Sequence, residues 1–473
     1  MGYSWFSLVP FLIVISMAIW LKNILPGLVL SLLAGSLLVK GNILDGIYQS
    51  VSYIVATLSN GNNIKIIAFL YLFGGLVGMM NISGGIKGFS EWMGKKIQTE
   101  RGLLGFIWLT LPFTFMMPMF RIMMIGPVVK SLIKKINVPK QKVGLTMDIS
   151  TESVIVLLPV ATAFVGFMVS LVGGSLQKLQ VGMSPYQVFL LSLLFNFFAI
   201  VMLAIGIIRT FVASANKTSD SSDHPQLDQV ENELHRSGIR RELSLVKAQP
   251  WNLIFPVLLL LLLTFYLLWQ NGTEKGAVTL AKAFSLADAT FVMLLAVFVT
   301  LILTCIFYII RRQPLGELLY HFFDGGNQMM EAISLLVLIW SMTLSAEELG
   351  FSKFIRITLG TFLPAYLTPV AIFLLGSFIS YFLGSSWGTW GLFMPLGISL
   401  AVSTGASIPL TVGAVFASGA FGALASPLGD TTITTASILD LDLVDYARYK
   451  LKISVMGAAI ASGFYIIAAL FIF

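Results

Sequence analysis

The chain has 473 residues, of which 57% are hydrophobic and only 11% are charged. Soluble domains have about 25% charged residues, so most of this surface must face lipid. This excludes a soluble enzyme, a disordered scaffold and a secreted disulfide-rich module. The net charge of +7 says little about nucleic acid, because basic residues in short loops of membrane proteins mainly set orientation. The composition predicts an all-α, multi-pass protein of the cell (inner) membrane that is not an enzyme and binds no nucleic acid.

Apolar stretches long enough to cross a bilayer, which takes about 20 residues, follow one another along the chain. In the first half they cover residues 4–21, 24–40, 64–81, 102–120, 153–173 and 186–212. In the second half they cover residues 252–269, 289–310, 328–345, 362–383, 391–404, 408–425 and 453–473. Because several are short or interrupted, we predict about 11 spans.

A long polar segment, residues 213–250, divides the chain into two membrane units, 1–212 and 251–473. The two units carry similar patterns of breaking residues. Pro127 and Pro395 are 268 positions apart, and so are Pro159 and Pro427. A duplicated unit with matching Gly/Pro breaks is typical of secondary transporters, whose binding sites lie at the breaks.

In the second half, a run from Gly384 to Gly391 contains three glycines and the hydroxyls of Ser385, Ser386 and Thr389. We expect this run to break a helix inside the membrane, which is tolerated only where the backbone is buried in protein or lines a wet cavity. Its oxygens would suit Na⁺ or a small polar substrate. The alternative is a loop that joins two helices outside the bilayer.

The next candidate is Asp430, which is followed by Thr431 and Thr432 and preceded by 25 uncharged residues. An ionisable group inside a membrane segment is costly and indicates function. Such a carboxylate could exchange H⁺ for Na⁺. It could also cap a helix that starts near Thr431, and the two interpretations are compatible.

In the first half, Asp148 and Glu152 are four residues apart and would share one face of a helix, with Thr151 between them. The alternative is the start of an interfacial helix with acids in its first turn. Arg121 stands in an apolar run, where it could hold a substrate carboxylate or extend to the membrane interface; we favour the interface. Lys450, among several charged neighbours, is interpreted as part of a solvated loop.

The second-half motifs resemble those of the NhaC-type Na⁺/H⁺ antiporter family. The resemblance rests on Gly384–Gly391, Pro395 and Ser426–Thr432, which match the family's G-[ST]-S-W-G-T and S-P-[IL]-[SG]-D-T-T runs. In the first half, Lys142–Pro159 is similar to the family's Asp-Ser-Thr segment, with Asp148 and Thr151 at matching positions.

Membership of that family, part of the ion transporter superfamily, implies two inverted repeats with re-entrant hairpins and broken helices. It also implies a homodimer with an elevator-like transport domain. The sequence departs from the family at two places. It has no acid in Pro112–Met117, and it has Gly422–Ala425 where the family often has Asp-His-Cys.

We therefore predict a secondary transporter that exchanges Na⁺ for H⁺, with Asp430 as the proton-exchanging carboxylate and Na⁺ held by Asp430 and Asp148. Neutral and acidic groups complete the predicted site: Thr431, Thr432, Ser385, Ser386, Thr389, Thr151 and Glu152. The alternative is Na⁺- or H⁺-coupled transport of a carboxylate or amino acid, with Arg121 binding the anion. A passive channel or scaffold is a third hypothesis. The expected partners are lipid, the transported ion or small molecule, and a second copy of the chain, without a cofactor.

Overall fold

The computed structural model describes residues 5–83, 97–136, 138–159, 162–211 and 249–472, and its regular structure there is entirely helical. Within this part, eight helical segments are long and apolar enough to cross a bilayer. Three shorter apolar helices, Trp5–Leu21, Ile24–Lys40 and Ala163–Lys178, add to them. The predicted all-α, multi-pass membrane fold is confirmed. The predicted polar linker, 213–250, lies outside the described residues except for its last two.

The first half contains eleven described α-helices, preceded by a 3₁₀ turn at Trp5–Leu8. They are α1 (Val9–Leu21), α2 (Ile24–Lys40), α3 (Ile43–Leu58), α4 (Gly61–Ile82), α5 (Glu100–Leu109), α6 (Leu111–Thr114), α7 (Pro118–Ile136), α8 (Lys140–Ile155), α9 (Ala163–Lys178), α10 (Pro185–Leu193) and α11 (Phe197–Phe211).

The second half contains a further eleven described α-helices, with a 3₁₀ turn at Ala365–Leu367. They are α12 (Trp251–Glu274), α13 (Leu280–Leu286), α14 (Ala289–Ile310), α15 (Leu315–Gln328), α16 (Met330–Glu348), α17 (Phe351–Phe362), α18 (Thr368–Leu383), α19 (Ser386–Thr404), α20 (Ile408–Ala425), α21 (Asp430–Leu439) and α22 (Leu443–Ile472).

The helix bounds repeat with the same 268-residue offset as the prolines. Helices α7 and α19 match at both ends, 118–136 against 386–404, and α8 and α20 start at residues 140 and 408. In each half, two antiparallel arms form a hairpin: hairpin 1 is α5, α6 and α7 with its turn at 115–117, and hairpin 2 is α18 and α19 with its turn at 384–385. The duplication therefore extends from sequence motifs to whole elements, while the inversion of one repeat relative to the other remains a prediction.

Several of the predicted continuous spans are interrupted in the structure, among them 102–120, 153–173 and 186–212, the last at residues 194–196 between α10 and α11. Residues 102–120 contain the turn of hairpin 1, and residues 153–173 contain break 1, whose described residues, 156–159 and 162, are not helical. Pro118 begins α7 directly after the turn, and Pro159 lies in break 1. Proline has no N–H to continue a preceding helix. Break 2, residues 426–429, separates α20 from α21 in the second half and contains Pro427.

The helix that follows each break packs against the hairpin of the other half. Helix α9 contacts α19, where Phe164 lies 4.5 Å from Trp387 and 5.5 Å from Trp390 between ring centroids. Helix α21 contacts α7, and Ile438 packs so closely on Gly126 that a Cβ atom there would come within 2.8 Å of it. This crossed packing brings side chains from both halves into one junction.

Candidate functional site

The candidate site lies where α8 of the first half meets α21 and α22 of the second half. Asp148 lies in the middle of α8, and its side chain is completely buried. The alternative of an interfacial helix start is therefore wrong for Asp148 and Glu152, because the helix begins eight residues earlier at Lys140. The expectation that both acids share one helix holds.

Asp148 is paired with a buried lysine. The Nζ atom of Lys450 donates to Asp148 Oδ2, and neither side chain is exposed. Thr435 Oγ1 donates to Asp148 Oδ1 over 2.6 Å, and the Tyr446 hydroxyl donates to Oδ2 over 2.8 Å. Lys450 also donates to Thr432 Oγ1 over 2.8 Å, with its Nζ 5.1 Å from the centre of the Tyr446 ring. We call Asp148 and Lys450 the buried ion pair.

The assignment of Lys450 to a solvated loop is wrong. Helix α22 begins at Leu443, so Lys450 lies two turns inside it, and packing against α8 and α21 removes it from water. One signal was available in the sequence. Tyr446 and Lys450 are four residues apart, which places both on one helix face. The charges on the exposed neighbours obscured that signal.

Glu152 lies next to the buried ion pair, one helical turn along α8. It is 4% exposed, interacts with the Thr431 hydroxyl, and lies within electrostatic range of Asp148, Lys450 and Asp430. Four of the predicted residues, Asp148, Glu152, Thr431 and Thr432, thus come together.

Asp430 lies at the exposed margin of this junction. It is the first residue of α21, as expected, but Gly429 is the N-cap and no side chain caps the helix, so the predicted capping role is wrong. Its side chain is exposed. It lies within electrostatic range of Glu152 and Glu331.

Ser385, Ser386 and Thr389 lie at the tip of hairpin 2. The helix is interrupted only at residues 384–385, which is shorter than the predicted break, because the Ser385 hydroxyl caps α19 by accepting from the Gly388 N–H. Ser386 Oγ donates to Gly419 O over 3.0 Å, and Thr389 Oγ1 donates to Ser385 O over 2.9 Å. The hydroxyl hydrogens of Ser386 and Thr389 are thus used within the hairpin and α20.

The tip of hairpin 2 touches break 2. Gly384 has a positive φ of 65°, and a Cβ atom there would come within 2.6 Å of the Leu428 carbonyl carbon. The tip of hairpin 2 therefore lies close to the start of α21, because Leu428 is two residues before Asp430.

Arg121 and Thr151 form a separate cluster between hairpin 1 and α8. The guanidinium is completely buried, so the expectation that it extends to an interface is wrong. Its hydrogen bonds to the described residues all go to protein oxygens, at 2.5–3.1 Å. The acceptors are Ile107 O and the hydroxyls of Thr110, Thr114, Ser150 and Thr151. An anion at Arg121 would have to displace some of them.

Comparison with known proteins identifies the family. The family model described as "Na+/H+ antiporter family" matches residues 154–471. The chain belongs to this family. It is a secondary transporter, in agreement with the function class predicted from the repeats and with the resemblance to NhaC-type proteins.

Other comparisons match further parts of the chain. An uncharacterized protein of Haemophilus influenzae is 24% identical over 478 residues, covering 98% of this chain and 91% of its own. The arginine/ornithine antiporter ArcD of Halobacterium salinarum is 32% identical over 170 residues, 34% of each chain. The structure of MtrF of Neisseria gonorrhoeae, from a class of antimetabolite efflux pumps, matches with a TM-score of 0.64 at 12% identity, covering 92% of this chain and 86% of its own. That likeness shows a shared fold.

Proposed function

We propose that this transporter exchanges Na⁺ for H⁺, and that the cation binds at the position of Lys450 Nζ. The observation that supports this is the buried ion pair. A charge buried in a membrane protein is costly and indicates an ion or proton pathway. Asp148 and Lys450 are both removed from water, at a junction to which both halves contribute.

The oxygens around Lys450 Nζ suit a small hard cation. The Asp148 carboxylate and the Thr432 hydroxyl already contact Lys450 Nζ. The hydroxyls of Thr435 and Tyr446 donate to the same Asp148 carboxylate. Carboxylate, hydroxyl and carbonyl oxygens are the groups that hard cations prefer. A Na⁺ ion in place of the ammonium would therefore find two coordinating oxygens already in position.

The exchange follows from competition between the two cations. When Na⁺ enters, the Lys450 ammonium gives its proton to water and leaves Asp148. When Na⁺ leaves, Lys450 takes up a proton and pairs with Asp148 again. A lysine can do this because it can lose its proton, whereas an arginine cannot. The pair remains neutral in both states, so one H⁺ is exchanged for one Na⁺.

Glu152 and Asp430 provide the proton path between this pair and water in the proposal. Glu152 is almost buried beside the pair, and Asp430 is exposed at the beginning of α21. Relative displacement of α8 against α21 and α22 would open the site to one side of the membrane and then to the other.

The test is Na⁺-driven H⁺ movement in proteoliposomes that contain a pH-sensitive dye. Wild-type protein should exchange Na⁺ for H⁺, and Asp148→Asn should reduce the rate by at least about 10–100-fold because a charged cation ligand is lost. The matched control is Asp445→Asn, whose carboxylate is exposed on the first turn of α22. Exchange by Asp148→Asn at the wild-type rate would contradict the assignment.

A second candidate is transport of an amino acid or organic acid coupled to the same cation site. The name of the ArcD relative and a cavity of about 360 Å³ favour it. The cavity lies between α4, α9, α10 and α14, with Asn62, Gln177 and Asp288 among its polar lining. Its lining residue Tyr186 donates to Pro159 O in break 1 over 2.8 Å. Uptake of labelled arginine, ornithine or malate that depends on Na⁺ would favour this candidate over simple cation exchange.

A further inference from the structure

We propose that the Arg121 guanidinium is a permanent internal cation that fills an oxygen cage between hairpin 1 and α8, so that this cage binds no transported cation. The cage is defined by Ile107 O and the hydroxyls of Thr110, Thr114, Ser150 and Thr151. This inference rests on the proposed function in one respect: it confines cation exchange to the site at the buried ion pair.

The cage offers one oxygen acceptor for each N–H donor of the guanidinium. Nε donates to Thr151 over 3.0 Å. One terminal nitrogen donates to Thr110 over 3.0 Å and to Thr114 over 2.5 Å. The other terminal nitrogen donates to Ile107 O over 2.6 Å and to Ser150 over 3.1 Å. An arginine has five N–H donors, so all of them are used.

The hydroxyls of the cage must act as acceptors, because each donates its hydrogen elsewhere. Thr110 donates to Ile107 O, and Thr114 donates to Thr110 O, both over 2.8 Å. Ser150 and Thr151 both donate to Met147 O, over 3.0 and 2.6 Å. Every cage oxygen therefore turns a lone pair toward the guanidinium, and the cage as a whole attracts a cation.

The charge at the centre of the cage has no ion-pair partner among the described residues. Arg121 is fully buried all the same. A buried charge is tolerated only when its hydrogen bonds are complete, and here neutral oxygens supply all of them. A set of neutral oxygens that holds a desolvated cation is also what a transported Na⁺ would require.

Hairpin 2 has no such cation, because residues 368–404 contain no charged side chain. The residue 268 positions after Arg121 is Thr389, a neutral residue near the start of α19. At the position matching Thr151 the second repeat has Gly419, where a Cβ atom would come within 2.1 Å of Trp390 Nε1. The two hairpins are thus built alike, but only hairpin 1 carries a fixed positive charge against its neighbouring helix.

The first test removes the internal cation and replaces it from solution. In Arg121→Ala, millimolar guanidinium chloride should raise the melting temperature by at least about 3 °C relative to N-methylglucamine chloride, through binding to the native state. Wild type and the control Arg311→Ala should not show this excess. Arg311 suits the control because it is partly buried and, among the described residues, donates to a single acceptor, Gln249 Oε1. Equal shifts in all three proteins would overturn the proposal.

The second test counts bound ²²Na⁺ in nanodiscs. Arg121→Thr, which copies Thr389, should bind one Na⁺ per chain more than wild type, and Arg121→Lys should bind the same number as wild type. An unchanged count in folded Arg121→Thr would overturn the proposal. If wild type neither binds Na⁺ nor exchanges it, the proposed function fails, while the guanidinium test of the cage still stands on its own.

A third comparison applies if Arg121→Ala and Arg121→Thr, whose side chains are shorter than arginine, do not fold. Arg121→Lys and Arg121→Met have side chains of similar length, but only lysine supplies a cation. The cage therefore predicts higher yield and a higher melting temperature for Arg121→Lys. A methionine variant as stable as the lysine variant would show that the cage needs no cation and would overturn the proposal.

Discussion

Asp148 and Lys450 depend on each other for burial, because each is the charge partner of the other. Thr432, Thr435 and Tyr446 complete the hydrogen bonds around them. Breaking a buried pair from one side leaves an uncompensated charge, which is far more costly than losing an exposed ion pair. The pair is therefore expected to be both the cation site and a point on which stability depends.

Substituting Lys450 and Lys452 in turn compares the loss of a buried charge with the loss of an exposed charge on the same helix. We expect Lys450→Met to destabilise the protein by about 3–5 kcal/mol, because Asp148 would remain buried and unpaired. The control is Lys452→Met, two residues along α22 and exposed, which should cost less than about 0.5 kcal/mol. Denaturant unfolding in detergent measures both. Similar losses in the two variants would show that Lys450 is not held as described.

At the scale of elements, the sequence predicts the breaks better than their contacts. Gly384 and Pro427 mark interruptions that the structure has, because glycine and proline act on the local backbone. The pairing of Asp148 with Lys450, about 300 residues apart, leaves no local trace, since it arises from the packing of α8 on α22. The burial of Arg121 leaves no local trace for a similar reason, because its cage draws on three separate helices, α5, α6 and α8.

The contact between hairpin 2 and break 2 can be tested with a pair of glycines. Gly384 and Gly405 both have positive φ, 65° and 79°, but only Gly384 packs against other atoms. Gly405→Ala should cost about 1–2 kcal/mol from backbone strain alone. Gly384→Ala should cost clearly more, because its Cβ would also meet Leu428. If the two substitutions destabilise the protein equally in thermal unfolding, the tip of hairpin 2 does not pack on break 2.

At the scale of the whole molecule, the two halves have similar sets of helices but carry different charged and polar groups. The first half supplies Asp148, Glu152 and the caged Arg121, and the second supplies hydroxyls and Lys450. The repeat and the helical fold could be predicted from spacing and hydropathy. This division of charge could not, because matched positions such as 121 and 389 carry different residues. The homodimer implied by the family resemblance stays a prediction.

Exchange of one H⁺ for one Na⁺ moves no net charge across the membrane. We therefore expect the exchange rate to be unchanged when K⁺ and valinomycin set the membrane potential to zero or to −100 mV. Movement of one net charge would change the driving force by about 2.3 kcal/mol per 100 mV. A rate that follows the potential would show that Glu152 or Asp430 adds a second transported proton.

The most direct measurement counts the protons released when Na⁺ binds to the purified protein in weakly buffered solution. Because Na⁺ is proposed to replace the Lys450 ammonium beside Asp148, wild type should release about one H⁺ per Na⁺ bound. Lys450→Arg, which keeps the buried positive charge but cannot lose a proton, should release none. Binding of Na⁺ to wild type without proton release, or equal release from Lys450→Arg, would contradict the account.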